Sequence, residues 1–214
     1  MRGEMVIHLV RIDVPPARAE EFSRWQASHV VEAVAAMGRS AIAARARVQG
    51  SDDPAQFRWF FELASLSTLE SYLISRERDD LAQAFKTAFP DAKVHMEFGE
   101  IEGNTRRGLR YGEEPGAAYT VEVKVPTADR FAWAEWYDSE HIPAVLDSGA
   151  FVRARRFEIH DDDEAHSHQL IVYDAVDVEA AQTYVSEKGG RLAEAHRERF
   201  PNVQATRAIW EWLG

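Results

Sequence analysis

The feature that most restricts the fold of this 214-residue chain is that it repeats itself. Shifted by 111 positions, Val14-Pro15 falls on Val125-Pro126 and Trp25 on Trp136. A slip of one residue then places His29 on His141, Glu62 on Asp174 and Tyr72 on Tyr184. The slip closes again, so that Phe89-Pro90-Asp91 meets Phe200-Pro201-Asn202 and Glu100 meets Glu211. Isolated matches arise by chance. A collinear series that includes tryptophans and Phe-Pro pairs points to a duplication.

Each copy reads as the same order of elements. In the first, an apolar strand over 5–14 leads into a helix over 16–37, with proline where no amide donor is needed and Gly38 as the stop. A strand over 41–48, a hairpin loop at Gly50–Pro54 and an aromatic-rich strand over 56–63 follow. A helix over 66–89 and a strand over 93–101 complete it. The second copy repeats the order with strand 119–125, helix 127–146, strands 151–159 and 168–175, helix 178–200 and strand 203–213. Between them, Glu102 to Ala117 carries four glycines, a proline and several charges. It has no apolar period and reads as a linker. The expected domains are therefore 1–101, the linker 102–117, and 118–214.

Two strand–helix–strand units per copy give an α+β chain of two tandem ferredoxin-like β-α-β-β-α-β modules with both helices on one sheet face. The bare face must find a partner, so the copies are expected to pack sheet to sheet as an intramolecular α/β barrel. On the strands, His8, Val10 and Ile12 alternate with Leu9, Arg11 and Asp13, and Val121, Val123 and Val125 alternate with Thr120, Glu122 and Lys124. The apolar set is expected under the helices. Arg11, Glu122 and Lys124 are expected to pair across the pseudo-twofold.

Composition narrows the partners. A formal charge of −11, with only Arg106, Arg107 and Arg110 bunched, argues against nucleic acid or an anionic membrane surface. The chain has no cysteine, which removes thiolate chemistry, disulfides and cysteine-ligated metal. No apolar run approaches a membrane span, and the first residues are too charged for a signal peptide. A cytoplasmic location is the default expectation.

The stretch from Trp136 through Asp138, Glu140-His141-Ile142-Pro143 and Gly149-Ala150-Phe151 to Arg156-Phe157 resembles the dimeric α/β-barrel superfamily. It is most similar to small bacterial members of the EthD type. The likeness is sharp over 133–159 and covers the rest by element order; Ser28-His29-Val30-Val31 in the first copy lacks both the acid and the proline. The resemblance implies cofactor-independent monooxygenases, polyketide cyclases, muconolactone-isomerase-like enzymes, haem-binding or haem-degrading proteins, or modules without activity. It also implies a ligand cleft between helices and sheet. Fold by itself is not function.

His141 is the leading catalytic candidate. Trp133, Tyr137 and His141 recur at four-residue spacing and share a helix face, with Tyr137 one turn below the imidazole. Asp138, three residues earlier, is expected to reach the ring and raise its basicity. Pro143 is expected to kink or end the helix just past His141. The alternative is that His141 only caps and packs. His29 has Gln26 where His141 has Asp138, and reads as structural or as a ligand contact. His8 and Tyr119 occupy equivalent strand positions and are second-rank pocket residues, with a satisfied core histidine as the plainer reading of His8. Trp25, Trp59, Trp133 and Trp136 read as core first and pocket wall second. His166 and His168, in a hairpin with Asp161, Asp162 and Asp163, invite a metal, but a solvated acidic hairpin is the expected reading, with no metal site.

The expected function is that of an enzyme without a bound cofactor acting on a small hydrophobic, aromatic or polyketide-like molecule. It would work by proton transfer in cyclase, isomerase, lyase or oxygenase chemistry, with His141 as base. A non-catalytic hydrophobic-ligand module is the first alternative. A haem protein using His29, His95, His141 or His196 is the second. A homodimer is left open.

Overall fold

The structure, a computed structural model, describes residues 5–38, 41–107 and 114–213. The stretch 108–113 of the expected linker, with Arg110 of the basic group, lies outside the described residues. The chain divides into two units, Met1–Glu100 with Leu213–Gly214, and Ile101–Trp212.

The first unit runs β1 (Val6–Val14), a 3-10 turn (Pro16–Arg18), α1 (Ala19–Met37), β2 (Ile42–Asp52), β3 (Ala55–Leu63), α2 (Leu66–Leu73), α3 (Arg76–Ala88) and the start of β4 (Lys93–Arg106), whose residues from Ile101 on belong to the second unit. Its antiparallel sheet has the order β2-β3-β1-β4, with His8 opposite Phe61 on one side and Phe98 on the other. The alternation of β1 does what the pattern requires: Val10, Ile12 and Val14 enter the core beneath α1 with Phe22, Phe57 and Trp59. Gly38 ends α1 at φ +86°, a conformation that side-chain-bearing residues avoid. The single helix expected over 66–89 is two helices. Ser75 accepts a hydrogen bond from Arg78 N at 3.2 Å and so starts α3 afresh.

The second unit runs β5 (Ala117–Pro126), a 3-10 turn (Thr127–Asp129), α4 (Arg130–Trp136), a π turn (Tyr137–His141), α5 (Ile142–Leu146), β6 (Phe151–Ile159), β7 (His166–Ala175), α6 (Val178–Glu187), α7 (Gly189–Arg199) and β8 (Gln204–Leu213). The sheet order is β6-β7-β5-β8, and Tyr119 lies opposite Tyr173 and Ile209. These are the residues that the shifts of 111 and 112 positions place on His8, Phe61 and Phe98, so the strand registers of the two units agree with the sequence offsets.

The slip in the repeat has a structural counterpart. Between Trp136 and His141 the second copy holds one residue more than the first, and there the helix widens into a π turn closed by Ile142 N to Tyr137 O. Pro143 has no amide to give the carbonyl of Ser139, so the extra residue is absorbed at little further cost in hydrogen bonds. The helix therefore does not stop past His141; it widens and continues as α5. The single helix expected over 178–200 is two helices, α6 and α7, divided at Lys188 just before Gly189-Gly190. A Cβ at Gly189 would lie 3.2 Å from the Tyr184 ring and 3.3 Å from the Tyr184 carbonyl, a tight fit that would require Tyr184 to give by a few tenths of an ångström.

β4 continues to Arg106 instead of ending at Ile101, and Arg107 N donates to Val152 O at 2.7 Å. Glu102 to Arg106 are therefore strand, not linker. Lys124 pairs within its own unit, 3.7 Å from Asp161 and 3.3 Å from Asp163, not across a pseudo-twofold. Among the described residues no helix is long and apolar enough to cross a membrane.

Candidate functional site

The two units treat the same place, between the second helical segment and the sheet, in opposite ways. In the first unit it is a cavity of about 350 Å³ between α3 and the face of β1, β3 and β4. That is within the range of small-molecule sites. His8, Val10, Trp59, Phe61 and Met96 line the sheet side, and Leu81 and Phe85 the helix side. In the second unit the corresponding gap, lined by Tyr119, Tyr137, His141, Tyr173, Tyr184 and His196, is about 20 Å³. That is room for roughly one water molecule. A third depression, of about 390 Å³, lies over Ser148–Ala150 and α6. Asp177, Glu179, Glu187 and Lys188 stand in its walls, and the ammonium of Lys188 donates to Ser148 O at 2.9 Å there.

His8 is the chemically distinctive group of the first cavity. It is 4% exposed, stacks on Phe61 at 5.9 Å, and its Nδ1 lies 3.2 Å from the carbonyl of Glu97. A carbonyl only accepts, so Nδ1 carries the proton and Nε2 is the basic nitrogen of a ring that lines the cavity. Burial, aided by the charge of Arg78, lowers the pKa of the imidazole and keeps it neutral. Tyr72 on α2 lines the same space, and burial raises the pKa of its phenol. Trp59 is held by donating Nε1–H to Gln26 at 2.8 Å. Trp25 and His29 stand behind this wall, not in it. Their rings stack at 3.8 Å, and the His29 Nδ1–H is spent on the Trp25 carbonyl at 2.8 Å.

In the second unit the expected residues converge, but not as a dyad. Tyr137 and His141 are in ring contact at 4.6 Å, and Trp133 lies 4.5 Å from Tyr137. Asp138 does not meet His141. Its carboxylate is held by Arg156, Nε to Oδ1 at 2.9 Å and Nη2 to Oδ2 at 2.8 Å. The π turn is the reason, since widening the helix moves the third residue away and brings the fourth and fifth over the imidazole. Trp136 accordingly contacts His141 at 5.0 Å. The indole of Trp133 donates to His196 Nε2 at 2.9 Å, and Trp136 donates to Glu140 at 3.2 Å. Burial pushes the pKa values of His141 and His196 down to about 4. Tyr137 and Tyr173, bonded hydroxyl to hydroxyl at 3.3 Å, are shifted upward by burial. His141 is thus a neutral ring in a nearly filled space, without a carboxylate partner.

The acidic hairpin has its own cation: Lys124 sits between Asp161 and Asp163, which also bind His168 at 3.4 Å and His166 at 3.1 Å. The residues that sequence reading passed over are Arg78, Phe85 and Met96 in the first unit and Tyr173, Tyr184 and Arg207 in the second; His196 was weighed only as a haem ligand. The signal for the first group was present, because Arg78, Leu81, Ala82, Phe85 and Phe89 mark one face of α3 at three- and four-residue spacing.

The comparisons with known proteins agree with the fold. A domain of unknown function, DUF4286, matches residues 117–209. No curated protein matches the sequence. Among solved structures, a candidate monooxygenase of Fusobacterium nucleatum superposes with a TM-score of 0.71 at 10% identity, covering 100% of this chain and 94% of that one. An anthrone oxidase-like protein gives 0.64 at 10% identity, covering 98% and 92%. A variant chlorite dismutase from Candidatus Nitrospira defluvii gives 0.59 at 12%, covering 99% and 92%. At these identities the likeness speaks for fold alone, and that fold is α+β, of the dimeric α/β-barrel type.

Proposed function

We propose that the chain is an enzyme without a bound cofactor that takes a small, largely apolar molecule into the first-unit cavity and moves a proton with His8. The observation that carries this reading is a neutral imidazole, its Nδ1–H committed to Glu97, in the wall of an apolar cavity of about 350 Å³. Nε2 takes a proton from an acidified C–H or O–H of the substrate, and the imidazolium returns it to the product. Burial helps by keeping the base neutral between turnovers, and the apolar walls keep water from competing for the proton. That step is common to cyclase, isomerase, lyase and oxygenase chemistry. The names of the superposed proteins, a monooxygenase among them, favour an enzyme over an inert module. We further read the chain as a tandem duplication of ferredoxin-like modules of EthD type, supported by the matching element order and strand register in the two units.

The test begins with a metabolite screen by thermal shift, because a ligand raises stability as RT ln(1 + [L]/Kd). Once a turned-over compound is in hand, His8→Ala is expected to cost roughly 10²- to 10⁴-fold in kcat while leaving Kd within a few-fold. His141→Ala is expected to retain most activity. The reverse pattern would return the chemistry to the second unit, as the sequence had favoured. Binding without turnover of any ligand would identify a sequestering module. A haem reading finds little support: His29 is stacked on Trp25, His95 is largely exposed, and His141 and His196 border a gap of about 20 Å³. A Soret band in the purified protein would reinstate it.

A further inference from the structure

The walls of the first-unit cavity are uneven in charge. The sheet side is apolar apart from His8, whereas the helix side carries Arg78 and Lys86, eight residues apart on α3 and so on one face of it. No aspartate or glutamate is among the described residues that line the cavity, in a chain whose net charge is −11. Arg78 is only 30% exposed in its side chain, and it gives Nη1 to Asp79, its solvent-facing neighbour in sequence, at 3.1 Å. Among the described residues nothing accepts from its Nε or Nη2, and nothing pairs with Lys86. Asp79 offsets part of the cost of desolvating this guanidinium, and the cost that remains is one an anion in the cavity would offset. A neutral hydrocarbon would leave that cost standing, and a cation would add to it.

We infer that the ligand of this cavity is an anionic amphiphile: an apolar, ring-sized body against Trp59 and Phe61, with a carboxylate or ionised phenol received by Arg78 and, at the rim, by Lys86. This rests on reading the cavity as the ligand site. Arg78 is then a specificity residue, since its planar donors match a two-oxygen acid better than a point charge does. The acid end lies toward α3 and the body toward β1, which brings the part of the molecule nearest the sheet to His8.

Two fluorescent probes that differ by one acidic group test this on the full chain. 8-Anilino-1-naphthalenesulfonate and N-phenyl-1-naphthylamine share the same aromatic body, and only the first carries the sulfonate. The sulfonate is expected to bind at least about tenfold more tightly at low salt. Arg78→Gln is expected to weaken the sulfonate by about tenfold and the neutral probe by less than twofold. Ala82→Trp, which fills the cavity from α3, is expected to abolish both. Equal affinities for the two probes, or a sulfonate indifferent to Arg78→Gln, would overturn the acidic-ligand inference while leaving the cavity as a site. Probe binding untouched by Ala82→Trp would show that the cavity is not the site, and both readings would go.

Discussion

At the same place in the same strand register, one unit of this molecule is hollow and the other is full. His8, Phe61, Tyr72, Phe85 and Met96 surround about 350 Å³ in the first, whereas the positions offset by 111 or 112 residues, Tyr119, Tyr173, Tyr184, His196 and Arg207, leave about 20 Å³ in the second. The difference is one of chemistry as much as of bulk. In the second unit the π turn supplies Tyr137, which takes the Tyr173 hydroxyl at 3.3 Å, and His196 takes the Trp133 indole proton at 2.9 Å. Polar aromatic groups can satisfy one another only if they meet, so they draw the space closed. The hollow unit has an apolar wall with a single buried imidazole, whose hydrogen bond goes to the backbone of its own sheet. Nothing there requires the walls to meet. Two units of matching strand register can thus differ in one holding a cavity and the other a packed polar core.

That contrast can be broken or sharpened by measurement. The largest expected effect is on pH dependence. His141 and His196 ionise at about 4 when folded, against an ordinary 6.5, so the unfolded chain binds more protons between those values. Stability should be full above pH 6.5 and fall as the pH drops toward 4, with His8, also lowered, adding in the same direction. Each tenfold difference in proton affinity between the folded and unfolded chain is worth about 1.4 kcal/mol, so the loss by about pH 4.5 is on the order of 4–5 kcal/mol. Urea denaturation at several pH values reads it. Replacing His196 by phenylalanine, the residue at the offset position in the first unit, should flatten a good part of the slope. A slope that survives His141→Asn and His196→Phe unchanged would place the titrating groups elsewhere.

Next in size, Trp133→Ala should cost about 3–5 kcal/mol, since a fully buried indole leaves both a void and an unbonded His196. Phe85→Ala, at a wall that already borders open space, should cost about 1 kcal/mol. Equal losses would mean that the two units are packed alike. The smallest effect is expected for Ala82→Leu on the exposed face of α3 over the cavity, within about 0.5 kcal/mol of the parent in stability. It should nonetheless weaken any ligand of the cavity. A variant equally stable but with unchanged ligand affinity would separate the cavity from binding.

Much of the architecture was legible because it depends on local rules. Pro15 and Pro126 precede the helical turns, Gly38 closes α1 at positive φ, and Gly189 stands where Tyr184 packs close. The apolar alternation of β1 and β5 assigned their core faces, and the offsets of the repeat agree with both strand registers. Less legible were the restart of a helix at Ser75 and the run of β4 through Glu102–Arg106. A serine is as ordinary inside a loop as at a cap. Gly103 and Asn104 lack strand propensity, so only pairing extends the strand past them.

The sequence by itself determined the order of elements, the faces of the central strands and the aromatic residues that crowd between helix and sheet. It also held the clue to the π turn, as a one-residue slip between Trp136 and His141. Only the tertiary structure decided which partner Asp138 takes, because Arg156 is eighteen residues away in sequence yet 2.8 Å away in space. It decided likewise that the copy with the richer motif is the one without room for a ligand. Cavity volume is the small remainder left when side chains from four or five elements are fitted against one another at high packing density, and no single segment encodes it.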